Sequence, residues 1–260
     1  KKTIGFVPTM GALHAGHLSL VQACRQQCTT TVASIFVNPA QFNNPEDLHN
    51  YPRTLKSDGV LLQAAGTDIL FAPDEKEIYP QTDTRLFNFG KLGEVMEGKF
   101  RPGHFNGVAQ VVSRLFAVVQ PDYAFFGEKD FQQLAIIRAL AGQLKEKTVI
   151  TGCPTVREND GLAMSSRNTL LSAKQREHAP LIAATLTKAK EKTQTLPVAE
   201  LKKWVTDTIN ADSELEVEYI EIADEETLQP LKQWADAAHA RLFAAVHAYP
   251  VRLIDNIRLN

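Results

Sequence analysis

Cysteine is scarce in this sequence, and the three that occur among 260 residues, Cys24, Cys28 and Cys153, are too few and of the wrong parity for a disulfide framework. That scarcity points to a reducing compartment. Cys24 and Cys28 stand four apart, on one face of a helix, but no further Cys or His follows at ligand spacing, so a packed helix face is expected rather than zinc. Net charge is nearly absent as well, at −2, which excludes a surface devoted to coating nucleic acid and leaves room for a local anion site. No apolar run approaches the ~20 residues that cross a bilayer, and no signal-peptide pattern opens the chain. A cytoplasmic protein without nucleic-acid or membrane partners is therefore expected. The sequence starts at Lys1 rather than Met, directly before a strand-like run, so a native amino-terminal segment is expected ahead of it.

What is present is an ordinary globular composition, 44% hydrophobic and 22% charged, long enough for one large domain or two modest ones. Apolar periodicity predicts strands over 3–8, 31–37, 68–71, 122–126 and 148–151. Helices are predicted over 18–28, 53–65, 103–119 and 130–144. This alternation implies βαβ units and a parallel sheet. Beyond Pro154 the pattern changes to helices over 172–192 and 197–210 and strands over 214–222 and 241–249, which reads as a smaller α+β domain. Boundaries of 1–154 and 155–260 follow.

Three polar, glycine-containing segments fall where an open parallel sheet delivers strand ends to helix starts, or could fold over that place. The first, Met10-Gly11-Ala12-Leu13-His14-Ala15-Gly16-His17, lies between the first strand and first helix. Its glycines let backbone approach an anion, and the helix start offers N–H groups. Gly11 and Gly16 have P-loop spacing, but His17 and Leu18 stand where Lys and Ser/Thr belong, so a P-loop is disfavoured. A loop with two solvent-facing histidines stays open on local spacing alone. The second, Gly127-Glu128-Lys129-Asp130, suits phosphate and ribose contacts, although glycine followed by charges also begins ordinary helices. The third, Met164-Ser165-Ser166-Arg167-Asn168, carries hydroxyls and a guanidinium suited to polyphosphate, and reads equally as a polar connection before a helix cap.

Taken together, the phrases PTMGALHAGH from Pro8, NPAQF from Asn38, YPRT from Tyr51, RPGHF from Arg101, FFGEKDFQQL from Phe125 and PTVRENDGLAMSSRN from Pro154 resemble the pantothenate synthetase family along nearly the whole chain. That family belongs to the nucleotidyltransferases with a His-x-Gly-His signature. The resemblance implies a Rossmann-like, doubly wound sheet domain for nucleotide and pantoate, followed by a smaller domain carrying the Met-Ser-rich loop as a lid. Two departures stand out. Ala15 occupies a position that is often acidic in the family. The family's usual opening strand and helix of about twenty residues do not precede Lys1.

The resemblance further implies ATP-dependent joining of pantoate to β-alanine through a pantoyl-adenylate, with AMP and pyrophosphate released and Mg²⁺ accompanying ATP. It implies ATP contacts at Met10 to His17, at Gly127, Glu128, Lys129 and Asp130, at Val156, and at Met164, Ser165, Ser166 and Arg167. His17 is implied as proton donor, His14 as its phosphate-binding neighbour, and Lys129 as a third catalytic group. Gln41 and Gln133 are implied to hold pantoate, with Asn38, Arg101 and His104 as neighbours, and a homodimer is implied. Asp58 reads as a solvated helix carboxylate or, alternatively, an outer partner of the metal. Another nucleotidyl-transferring enzyme of the same signature group and a catalytically silent nucleotide binder are the rivals.

Overall fold

The run IGFVPT forms strand β1 (Ile4–Thr9) because its apolar residues serve both faces of a sheet at once. In the computed structural model, which describes residues 2–43 and 45–260, Phe6 and Val7 are both fully buried. Phe6 joins one core and Val7 another, as the two-residue side-chain period of a strand requires. Burying each such side chain is worth roughly 1.5–3 kcal/mol.

The chain divides into units of residues 1–154 and 155–260. In the first, β1 leads to helix α1 (Ala15–Gln27) and strand β2 (Thr30–Ile35), then to the short helix α2 (Pro45–Asn50), helix α3 (Leu55–Ala65) and strand β3 (Ile69–Phe71). Short helices α4 (Glu75–Ile78) and α5 (Met96–Phe100) precede the long α6 (His104–Val119), strand β4 (Tyr123–Gly127), helix α7 (Phe131–Leu144) and strand β5 (Val149–Cys153). The five strands run parallel in the order β3-β2-β1-β4-β5. One face packs residues of α6 and α7, such as Val108, Val112, Leu134 and Ile137, on Phe6, Val32 and Phe126. The other packs Leu20, Val21 and Cys24 of α1 and Leu62 of α3 on Val7, Ala33 and Phe125. The direction of winding reverses between β1 and β4, so the carboxyl ends of those two neighbouring strands open a crevice at the switch point.

The second unit contains α8 (Ala173–His178), α9 (Pro180–Lys192), α10 (Val198–Asn210) and strands β6 (Glu216–Asp224), β7 (Ala240–Ala248) and β8 (Val251–Arg258). The strands form an antiparallel sheet in the order β6-β7-β8. Ile182 and Leu186 of α9 and Leu201, Val205 and Ile209 of α10 share one core with Leu242, Ala244 and Val246 of β7.

The α/β class, the parallel sheet and the α+β character of the second unit match the expectation from sequence. Three details differ. The helix predicted over 172–192 is two helices, because Pro180 has no N–H to extend α8 and instead begins α9. Strand β8 was not anticipated, since its charged and polar residues Arg252, Asp255, Asn256 and Arg258 dilute the apolar run. Short helices α2, α4 and α5 lie below the length at which periodicity is readable.

Candidate active site

The loop leaving β1 is folded by its own polar groups. The Thr9 hydroxyl donates to the Ser34 carbonyl at 2.7 Å and accepts from the Gly11 N–H at 3.2 Å. Gly11 has φ +81°, and a Cβ there would lie 3.0 Å from Asp58 Oδ2 and 3.1 Å from Ile35 Cγ2, so only glycine fits. Asp58 is 2% exposed. Its carboxylate accepts from the Ala12 and Leu13 N–H groups, both at 2.9 Å, and from the Thr54 hydroxyl at 3.0 Å. The solvated helix carboxylate expected at this position is therefore a buried anchor that ties the loop to the first turn of α3.

His14 caps α1. Its Nδ1 accepts from the Gly16 N–H at 3.1 Å, while His17 Nδ1 accepts from the His14 N–H at 3.3 Å, a reciprocal capping box built from two imidazoles. A backbone N–H can only donate, so each Nδ1 carries a lone pair and each neutral ring bears its proton on Nε2. Burial lowers the His17 pKa to about 3, reinforced by His14 and by the positive charge of Lys129. Burial and Lys129 lower His14 to about 4, against a smaller opposing pull from Asp130. Both rings are thus neutral hydrogen-bond donors at pH 7. The ring centroids lie 4.1 Å apart, which rules out the reading of two independent solvent-facing histidines. One detail of the loop differs from the expectation: the Gly16, Ala12 and Leu13 N–H groups are already engaged within the protein.

Gln41 ends the single helical turn Pro39–Gln41. Its Nε2 reaches Met10 Sδ at 2.9 Å and its Oε1 accepts from Asn38 Nδ2 at 3.2 Å, which joins this turn to the β1 loop. The turn lies against the start of α6 at Gly107, where a Cβ would come within 2.2 Å of the Ala40 carbonyl oxygen. The His104 ring meets the Gln41 carbonyl through Nδ1 at 2.8 Å. Since a carbonyl only accepts, Nδ1 holds the proton and Nε2 receives Arg101 Nη1 at 3.2 Å. Burial and the Arg101 charge lower the His104 pKa to about 4, in keeping with this neutral ring. Arg101 also reaches Glu97 at 3.3 Å. Asn38, Arg101 and His104, expected as neighbours of Gln41, are brought together around it.

At the neighbouring strand end, Gly127 closes β4 and Glu128–Asp130 form one helical turn before α7. Lys129 lies 3.8 Å from Asp130 and acts electrostatically on both loop histidines. Gln133 stands partly buried in the first turn of α7. The residue before it, Gln132, is a structural strut: its Oε1 accepts from Glu97 N–H, and its Nε2 donates to the Leu92 and Val95 carbonyls.

In the second unit, Met164 N–H donates to the Val156 carbonyl at 3.0 Å, and Arg157 bridges to Ala163, so the chain doubles back over a tight turn at Gly161 with φ +92°. Arg157 grips the buried Asp255 of β8 with two hydrogen bonds of 2.7 and 2.9 Å. Ser165 caps the turn Ser166–Leu170 through a bond from the Arg167 N–H at 3.3 Å. Val156 and Met164 are thus held side by side, and Ser165 to Arg167 follow directly.

The sequence alone did not reveal Asp58, Gly107 or the Arg157–Asp255 pair as organisers of these loops. Their roles depend on partners 45, 69 and 98 residues away. A sequence signal existed only for Gly107, a glycine inside an apolar helix.

Comparison with known proteins places these features in one family. The pantoate-beta-alanine ligase family model matches residues 1–258. A pantothenate synthetase of Phocaeicola vulgatus is 54% identical over 258 residues, covering 99% of this chain and 92% of its own. One from Porphyromonas gingivalis is 50% identical with the same coverage. Among solved structures, pantothenate synthetase from Thermus thermophilus superposes with a TM-score of 0.94 at 47% identity, covering 99% of this chain and 94% of that one. The Francisella tularensis ligase, crystallised with a β,γ-ATP compound and β-alanine, gives 0.83 at 37% identity, covering 99% and 90%. A switch-point crevice bearing interlocked His14 and His17, together with matches of this length, leads to one conclusion: the chain belongs to the pantoate–β-alanine ligase family.

Proposed function

We propose that this enzyme condenses pantoate with β-alanine at the expense of ATP, and that His14, His17, Lys129, Gln41 and Gln133 form its reaction centre. The observation that carries the assignment is the imidazole capping box under the field of Lys129, tied through Met10 to Gln41. Pantoate's carboxylate is ionised at neutral pH and needs no general base. Its oxygen attacks the α-phosphorus of ATP and pyrophosphate leaves, giving pantoyl-adenylate. The amine of β-alanine then attacks the acyl carbon and AMP departs. No protein nucleophile takes part, so positioning and charge neutralisation dominate.

In this reading the Nε2–H groups of His14 and His17 donate to phosphate oxygens, while the Lys129 ammonium balances the charge that develops as pyrophosphate departs. His17 takes the donor role that the family resemblance implies through the Nε2–H of a neutral ring, its pKa lowered to about 3 by burial, His14 and Lys129. A neutral imidazole used as electrophile has precedent in enzymes whose helix starts depress a histidine pKa. One such donor is worth about 3–4 kcal/mol of barrier. Met10, Gly11, Ala12, Leu13, Ala15 and Gly16 shape the nucleotide-binding loop, Gly127, Glu128 and Asp130 continue it, and Asp130 is the acceptor suited to ribose hydroxyls. Val156, Met164, Ser165, Ser166 and Arg167 are assigned to the adenine and polyphosphate on the match of their motif to the family, with the second unit acting as lid. Mg²⁺ enters as MgATP, held largely by phosphate oxygens and water. A homodimer in the cytoplasm completes the reading, and sedimentation of the purified protein tests the dimer.

The decisive experiment is an AMP-release assay with each acid supplied or withheld. Sustained AMP release only when pantoate and β-alanine are both present, with no more than about one pyrophosphate per site formed when β-alanine is withheld, supports the function. Release with β-alanine omitted at the same rate, or a product that keeps the nucleotide, overturns it.

A further inference from the structure

Asn38 is 1% exposed, and all four of its amide hydrogen-bonding directions are used. Oδ1 accepts from the Tyr79 hydroxyl at 2.9 Å and from the Ala40 N–H at 3.3 Å. Nδ2 donates to the Gly107 carbonyl at 3.1 Å and to Gln41 Oε1 at 3.2 Å. Ala40 N–H can only donate and the Gly107 carbonyl can only accept, so the Asn38 amide has one orientation. That orientation dictates the next. Gln41 must turn its oxygen toward Asn38, and its Nε2 is left facing the Met10 sulfur at 2.9 Å. A thioether is a weak acceptor, and a carboxylate, hydroxyl or carbonyl oxygen arriving there makes the stronger bond.

Tyr79 is itself held from outside the site. It follows α4 as that helix's carboxyl cap, and its ring lies 6.2 Å from that of Phe36 and under the Arg114 guanidinium at 5.1 Å. Arg114 is pinned by Asp83 at 2.8 Å, and Asp83 also takes Arg85 at 2.6 Å. Burial pushes the phenol up to about 12, so the hydroxyl keeps its proton at every working pH. Asp83 and Tyr79 thus build a buttress whose only product at the site is one O–H aimed at Asn38.

We infer that Tyr79 is a positioning residue that acts through Asn38 to hold the Gln41 amide with its N–H toward the crevice, so that the hydroxy-acid substrate is selected by an acceptor oxygen. The inference rests on the assignment of Gln41 to pantoate and goes one step further, by naming what sets its polarity. Without the Tyr79 hydroxyl, Ala40 N–H and the Gly107 carbonyl still set which way the Asn38 amide faces. Oδ1 then keeps only the longer bond from Ala40, so Nδ2 is held less firmly against Gln41 Oε1 and the Gln41 N–H is presented to the crevice less rigidly.

The test is a double-mutant cycle of Tyr79→Phe and Gln41→Ala, read as kcat/KM for pantoate, with KM for ATP as control. Wild-type turnover that requires both acids establishes the parent reading independently of the cycle. Tyr79→Phe is expected to lower kcat/KM for pantoate about tenfold, the size of one buried hydrogen bond, with KM for ATP changed less than twofold. In the Gln41→Ala background the same change is expected to cost less than twofold, because nothing is left to orient. Asn38→Asp, which puts an oxygen opposite Gln41 Oε1, is expected to cost more than Tyr79→Phe. Equal costs of Tyr79→Phe in the two backgrounds, or no cost in either, overturn the inference. So does a rise in KM for ATP equal to that for pantoate, which marks a general structural defect.

Discussion

At the scale of the residue, the proposed function depends on the proton positions on two imidazoles. His14 and His17 each spend Nδ1 as acceptors of backbone N–H, so both should stay neutral with Nε2–H well below the ordinary histidine range. Nitrogen-15 imidazole spectra of the ligand-free enzyme should show that tautomer for both rings down to pH 5, and titration of either near pH 6.5 contradicts it. His17→Ala is expected to lower kcat about 100- to 1000-fold, the usual cost of a donor to developing charge. His17→Asn should recover more than the alanine variant, because its amide N–H still donates. Asp58→Asn sets an NH₂ against the Ala12 or Leu13 N–H, leaving a buried donor unpaired at about 1–3 kcal/mol. Both a lower unfolding midpoint and a higher KM for ATP should follow. A drop in stability alone, with KM for ATP unchanged, would show that Asp58 does not shape the nucleotide loop.

At the scale of the element, sequence and structure agree where one element carries its own signal. The βα rhythm of the first unit, with Phe125 and Phe126 facing opposite cores, was readable because a strand buried on both faces is a short unbroken apolar run. The polar phrases around His14, Gln41, Lys129 and Ser165 were readable because each is contiguous. What sequence could not deliver is pairing at a distance. Nothing local distinguishes Asp58 from a surface carboxylate, or Asp255 in polar β8 from a solvated edge residue. Two changes test this level. Gly107→Ala drives a methyl into the Ala40 backbone at 2.2 Å, so α6 and the Gln41 turn must separate. Kinetics should show KM for pantoate rising more than KM for ATP. Arg157→Lys keeps the charge but loses the two-point grip on Asp255. Hydrogen exchange should then quicken in residues 156–168, with that in β1 and α1 unchanged.

At the scale of the whole molecule, acid is the revealing stress. His14, His17 and His104 all have pKa values lowered to about 3 or 4, so they bind protons in the unfolded chain before they do in the folded one. Their contribution to stability is complete above about pH 6.5 and is lost as pH falls toward those lowered values. Asp83, held far below the usual carboxylate range by hydrogen bonds from Arg85 and Arg114, adds a loss that begins only below about pH 4. The unfolding midpoint should therefore start to fall between pH 6.5 and 5, ahead of the carboxylate region, and a midpoint flat to pH 4.5 contradicts this. In the proposed reading, the neutral imidazole donors, the Lys129 ammonium and the glutamine amides serve acyl-adenylate chemistry in which no protein nucleophile is asked to take the acyl group. The most direct measurement uses pantoate labelled with oxygen-18 in its carboxylate. Attack on the α-phosphorus predicts one labelled oxygen carried into AMP, with pyrophosphate unlabelled. Label appearing in pyrophosphate or inorganic phosphate, or absent from AMP, contradicts the account.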